Sequence, residues 1–152
     1  MACGTNSRHK TCGYKSCQRF YNNIAQDLAA GQTIQLAIAG AKVVDTGVSI
    51  ETEPLNYTTL KTGLYHFTGD VVINVATAGD VELQMYMDGV PLPCTYRRVT
   101  VPSGYREVHT ETDLELDGCC CDVEHSFTFR LTSVDTAVGA VTQFCSGVLK
   151  LA

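Results

Sequence analysis

Apolar and polar residues alternate with a period of two through most of the chain after residue 31. That period marks strands with one buried face. Residues 107–117 show it without a break: Val108, Thr110, Thr112, Leu114 and Leu116 fall on one side, and Glu107, His109, Glu111, Asp113, Glu115 and Asp117 on the other. Ile34, Leu36 and Ile38 share a face, as do Val81, Leu83, Met85 and Met87, and also Phe127, Phe129 and Leu131. Further short strands are predicted within 43–52, interrupted at Asp45-Thr46-Gly47, then over 97–101, closed by Pro102-Ser103-Gly104, and over 140–151. Residues 64–75 are rich in aromatic and β-branched side chains, with a predicted break at Thr68-Gly69-Asp70. Asp88-Gly89 marks a tight turn, and Pro91 and Pro93 end the preceding strand or place it at an edge. Strands succeed one another with turns and no helix between them. The pattern predicts an all-β antiparallel sandwich or jelly roll of about eight to ten strands and excludes a βαβ fold.

The period changes before residue 31. Phe20, Ile24, Ala25, Leu28 and Ala29 fall near helical spacing and Gly31 offers a stop, which predicts a short helix. Residues 1–31 are therefore read as an N-terminal Cys-rich basic arm or attachment segment and residues 32–152 as the sandwich domain. The charge supports the division. Residues 1–20 carry Arg8, Lys10, Lys15 and Arg19 and no acid, whereas the net charge of the whole chain is −5. Four cations ahead of an acidic body are too few to argue for nucleic-acid binding. A length of 152 residues suits one domain with a real core, and 45% apolar content excludes wholesale disorder. No run of 18 apolar residues is present, so insertion through a membrane-spanning helix is not expected. The first residues lack the apolar centre of a secretory signal, which predicts assembly in the cytoplasm.

Candidate chemistry is sparse. Cys3, His9, Cys12 and Cys17 place four zinc-compatible ligands within a short span, though without the paired C-x2-C knuckle. Free thiols or disulfides formed in an oxidising medium are the plain alternative. Cys119-Cys120-Cys121 is read as a turn with one buried thiol, or as a link between neighbouring subunits. Successive same-face side chains on a strand lie ~6.8 Å apart, so the acidic row of residues 107–117 cannot by itself share a calcium ion and reads as a solvated face. The sequence carries no nucleophile elbow, P-loop, zincin motif or dinucleotide fingerprint, and a Cys–His pair has no local signature, so no enzymatic activity is expected. Asn56-Tyr57-Thr58 matches a glycosylation acceptor by chance composition.

Several ordered stretches resemble the tumour necrosis factor-like jelly roll, as in complement q-type globular heads. Gly63-Leu64-Tyr65-His66-Phe67 is similar to the opening of its central strand. The segment 81–89, ending in Asp88-Gly89, resembles a strand of the family that closes on a polar residue plus Gly. Leu114-Glu115-Leu116-Asp117-Gly118 stands where the family has a Leu-x-Leu-x-x-Gly-Asp turn, and Phe144-Cys145-Ser146-Gly147-Val148-Leu149 resembles its final strand. The likeness covers about residues 32–152. The cysteine triplet interrupts the Gly-Asp turn, and the final strand holds one residue more than the usual pattern. In this family three copies pack about an axis through aromatic and aliphatic residues. The resemblance thus implies a homotrimer, with Tyr65, Phe67 and Tyr86 as candidates for the seam and core filling as the alternative. The chain also resembles bacterial spore-surface heads and phage appendage domains. This likeness implies a non-enzymatic structural or adhesion module on a virion surface, a head fibre or tail appendage held to another particle protein through residues 1–31. The alternatives are a spore- or cell-surface carbohydrate-binding jelly roll that contacts a host glycan, and a small zinc-binding protein.

Overall fold

The computed structural model describes residues 16–37, 41–45, 50–53, 56–59, 63–116 and 125–151. Among them the strands are β1 (Ser16–Asn22), β2 (Gln26–Leu28), β3 (Thr33–Gln35), β4 (Ala41–Asp45), β5 (Ile50–Glu53), β6 (Asn56–Thr59) and β7 (Gly63–Thr77). Six more complete the order: β8 (Gly79–Met87), β9 (Val90–Pro91), β10 (Arg97–Val101), β11 (Gly104–Leu116), β12 (His125–Ser133) and β13 (Val138–Lys150). One sheet runs β11-β7-β13-β1-β4, with β2 also on β13. The other runs β10-β8-β12-β6-β5, with β3 on β12 and β9 on β8. Each pairing is antiparallel, and the two sheets form the all-β sandwich of a jelly roll.

The core lies between the sheets and follows the alternation. Tyr65, Phe67, Val71 and Ile73 from β7 meet Val81, Leu83 and Met85 from β8 and Phe127, Phe129 and Leu131 from β12, all at most 1% exposed. The rings interlock: Phe67 and Phe127 lie 4.6 Å apart between centroids, and Phe129 meets Phe144 edge-on at 5.3 Å. Such contacts add to the area each ring removes from water. Val108, Thr110 and Leu116 on β11 are buried as their alternation predicts, and Glu107, His109, Glu111, Asp113 and Glu115 are exposed.

Two local expectations are corrected. No helix forms over residues 20–29. Asn22 ends β1 by accepting the Ile24 N–H on its side-chain oxygen at 2.9 Å, an Asx turn. The Gln26 side chain then bridges to Ala37 N–H and Gln35 C=O. Ile24 is 75% exposed and Leu28 1%, so the two do not share the face a helix would give them. Pairing of β1 and β2 with β13 overrides the local periodicity, and the sandwich thereby takes in residues ahead of position 32. Second, β7 runs unbroken through Thr68-Gly69-Asp70. Gly69 is needed there for space: a Cβ would sit 2.6 Å from the Phe129 ring. The segment Asn56–Thr59, over which the sequence pattern predicts no strand, pairs with β12 and β5. The turn at Asp88-Gly89 is as predicted, with φ of 51° and 80°, as a type I′ hairpin requires.

Candidate functional site

Ionisable side chains collect on the outer face of the first sheet, where β7 and β11 pair. The register sets His109 opposite Asp70, Glu111 opposite Thr68 and Asp113 opposite His66. Each histidine reaches a carboxylate on the other strand through Nδ1, His66 to Asp113 and His109 to Asp70, both at 2.5 Å. Their Nε2 atoms turn toward one carboxylate oxygen of Glu111, at 3.7 Å from His66 and 3.3 Å from His109. The result is a continuous chain, Asp113–His66–Glu111–His109–Asp70. The hydrogen bond with Asp70, supplemented by Glu111, holds the His109 imidazole above its usual value against the cost of partial burial. On β13, Cys145 faces Asp70 by register, and burial, with Asp70 and Glu107 adding to it, pushes its thiol up. A raised thiol beside a carboxylate is a poor nucleophile. His109 spends its ring nitrogens on Asp70 and Glu111.

Two smaller polar groups serve structure. Asp80 accepts hydrogen bonds from Thr100 and Arg98, which hold its carboxyl below the ordinary range, and Glu82 accepts from Tyr96. At the β8–β9 turn, burial works against the Asp88 charge, but His125 and the Ser126 N–H outweigh it and keep that carboxyl low.

Tyr65 and Phe67 have 0% exposure within a single subunit, so they fill the core and offer no surface for a seam between copies. Tyr86 is half-buried on the outer face of the second sheet, with the Arg130 guanidinium stacked 4.0 Å over its ring. Cys3, His9 and Cys12 lie outside the described residues, as does Cys119-Cys120-Cys121. Cys17 falls in β1 opposite Leu149. Among the described residues, no three His, Cys, Asp or Glu side chains are grouped to hold a metal ion. The acidic row itself is legible in the sequence. Its partners His66 and Asp70 emerge only from the β7–β11 register.

The two sheets give the chain a tumour necrosis factor-like jelly-roll fold, one it shares with solved structures. Among solved structures the chain is similar to murine APRIL at pH 5.0, with a TM-score of 0.67 and 12% identity, covering 90% of this chain and 98% of that one. It is similar to murine APRIL at pH 8.0 with a TM-score of 0.62 and 15% identity, covering 90% and 98%. It is also similar to PRD1 vertex protein P5, with a TM-score of 0.59 and 17% identity, covering 91% of this chain and 99% of that one. No protein-family model matches the chain, and no curated protein matches it.

Proposed function

We propose that the chain is a non-enzymatic structural or adhesion module, a homotrimeric protein of a virion surface or appendage. The observation that carries this reading is the shared fold with PRD1 vertex protein P5 over nearly the whole of both chains. Three copies about an axis supply rigidity and avidity, which is what a surface knob contributes. Tyr86 remains a seam candidate, and the attachment role of residues 1–31 falls on the stretch ahead of β1, which docks on another particle protein. The test is sedimentation of the untagged chain, followed by immuno-electron microscopy on purified particles with an antibody against the folded domain. A mass three times that of the subunit and label on the particle exterior are expected. A monomer at micromolar concentration, or a trimer never found on particles, overturns the reading.

A further inference from the structure

We infer that the Asp113–His66–Glu111–His109–Asp70 chain is a proton-operated clasp, fastening edge strand β11 to β7 more tightly below neutral pH than above it. This goes beyond the structural role proposed above and does not rest on it. The geometry favours a positive species at His109. Each ring has a carboxylate oxygen at both nitrogens: His66 has Asp113 at 2.5 Å and Glu111 at 3.7 Å, and His109 has Asp70 at 2.5 Å and Glu111 at 3.3 Å. A neutral imidazole carries one N–H, so its other lone pair would confront a carboxylate lone pair. At His109, where both carboxylates lie within hydrogen-bond reach, the imidazolium satisfies both sides, whereas the 3.7 Å from His66 to Glu111 is a longer ionic contact. A shared metal ion is the other way to supply positive charge, but among the described residues no three such groups converge on one point.

The placement turns protonation into a mechanical effect. Among the described strands, β11 lies at the end of its sheet and pairs with β7 alone. Three of the four links cross between these strands, namely His66 to Asp113, His66 to Glu111 and His109 to Asp70, while His109 to Glu111 stiffens β11 itself. Among the described residues, other ionisable side chains that share this face by register include Glu107, Glu115 and Tyr105 on β11, Cys145 on β13, Asp27 on β2, and Arg19 and Tyr21 on β1. Arg19 is the one permanent cation among them, so the face is strongly acidic until His109 charges. His109 sits above its unfolded value, chiefly through Asp70. Its contribution is therefore complete below about pH 6.5 and fades as pH rises through the folded value.

The links are partly exposed, from 27% at His66 to 63% at Asp113, so water and salt screen them. Amide hydrogen exchange of the full chain, compared at pH 5.5 and 8.5 after correction for intrinsic rates, reads the effect directly. Protection of β11 is expected to fall by up to about fivefold per lost link at the higher pH, with β12 unchanged. The double variant His66→Gln/His109→Gln should lose this pH dependence. Equal protection of β11 at both pH values, or an equal dependence in the double variant, overturns the proposal. Should that variant not fold, NMR titration of the unmodified protein decides. A His109 midpoint above about 6.5 that drops in Asp70→Asn supports the clasp, and one at or below 6.5 refutes it.

Discussion

Phe67 packs on Phe127 and Tyr65 in the middle of the sandwich and keeps no accessible surface. Replacing it with alanine leaves a void lined by rings that cannot collapse into it. Phe67→Ala should therefore cost ~3–5 kcal/mol, read as a lower urea midpoint at an unchanged slope. An unchanged midpoint with weakened self-association would return that ring to a seam. The residue scale is also where reading from sequence reaches its limit. Alternation tells that Phe67 and Tyr65 share a face with Gly69 and Val71, but not whether that face meets the opposite sheet or a neighbouring copy. Both are dry apolar surfaces and demand the same side chains. The outward row on β11 is legible for the same reason its partners are not. A period of two separates faces, whereas the cross-strand neighbours of His109 and Asp113 depend on register, which links residues about forty positions apart.

At the scale of elements, Thr95 closes one side of the sandwich. It sits in the 3-10 turn Pro93–Thr95 and is fully buried. Its hydroxyl donates to the Leu92 carbonyl at 2.6 Å and accepts from the Met85 N–H at 3.0 Å, while its own carbonyl accepts from the Thr110 hydroxyl at 2.7 Å. The turn thereby ties β8 in one sheet to β11 in the other. Thr95→Val preserves the shape but leaves the buried Met85 N–H unpaired, so thermal denaturation should report a loss of about 1–3 kcal/mol. Nothing in the local sequence marks Thr95 for this role, because Pro93 announces a break without specifying the turn it opens. The helix expected over residues 20–29 fails in a related way. Its apolar spacing is real, but Asn22 and Gln26 commit their side chains to backbone groups that a helix would not present. Long strands with strict alternation, such as β11 and β12, are readable. Short strands defined by their partners, such as β2 and β6, are not.

For the whole molecule, the ladder sets Ser16 directly opposite Lys150, so the first and last described strands leave the sandwich side by side. Antiparallel neighbours stand only ~5 Å apart, a gap that a few glycines and serines span. The chain can then be opened instead at Pro102-Ser103, the exposed corner where it passes from β10 in one sheet to β11 in the other. Such a circular permutant keeps each hydrogen-bonded ladder among the described strands and should unfold cooperatively, with near-native circular dichroism. Failure to fold would mean that the corner, and not the pairing, organises the passage between sheets. The same adjacency makes the molecule polar as a building block: cargo joined through either described terminal strand emerges at one pole, leaving Ile24 and Tyr105 at the other free to meet whatever lies beyond.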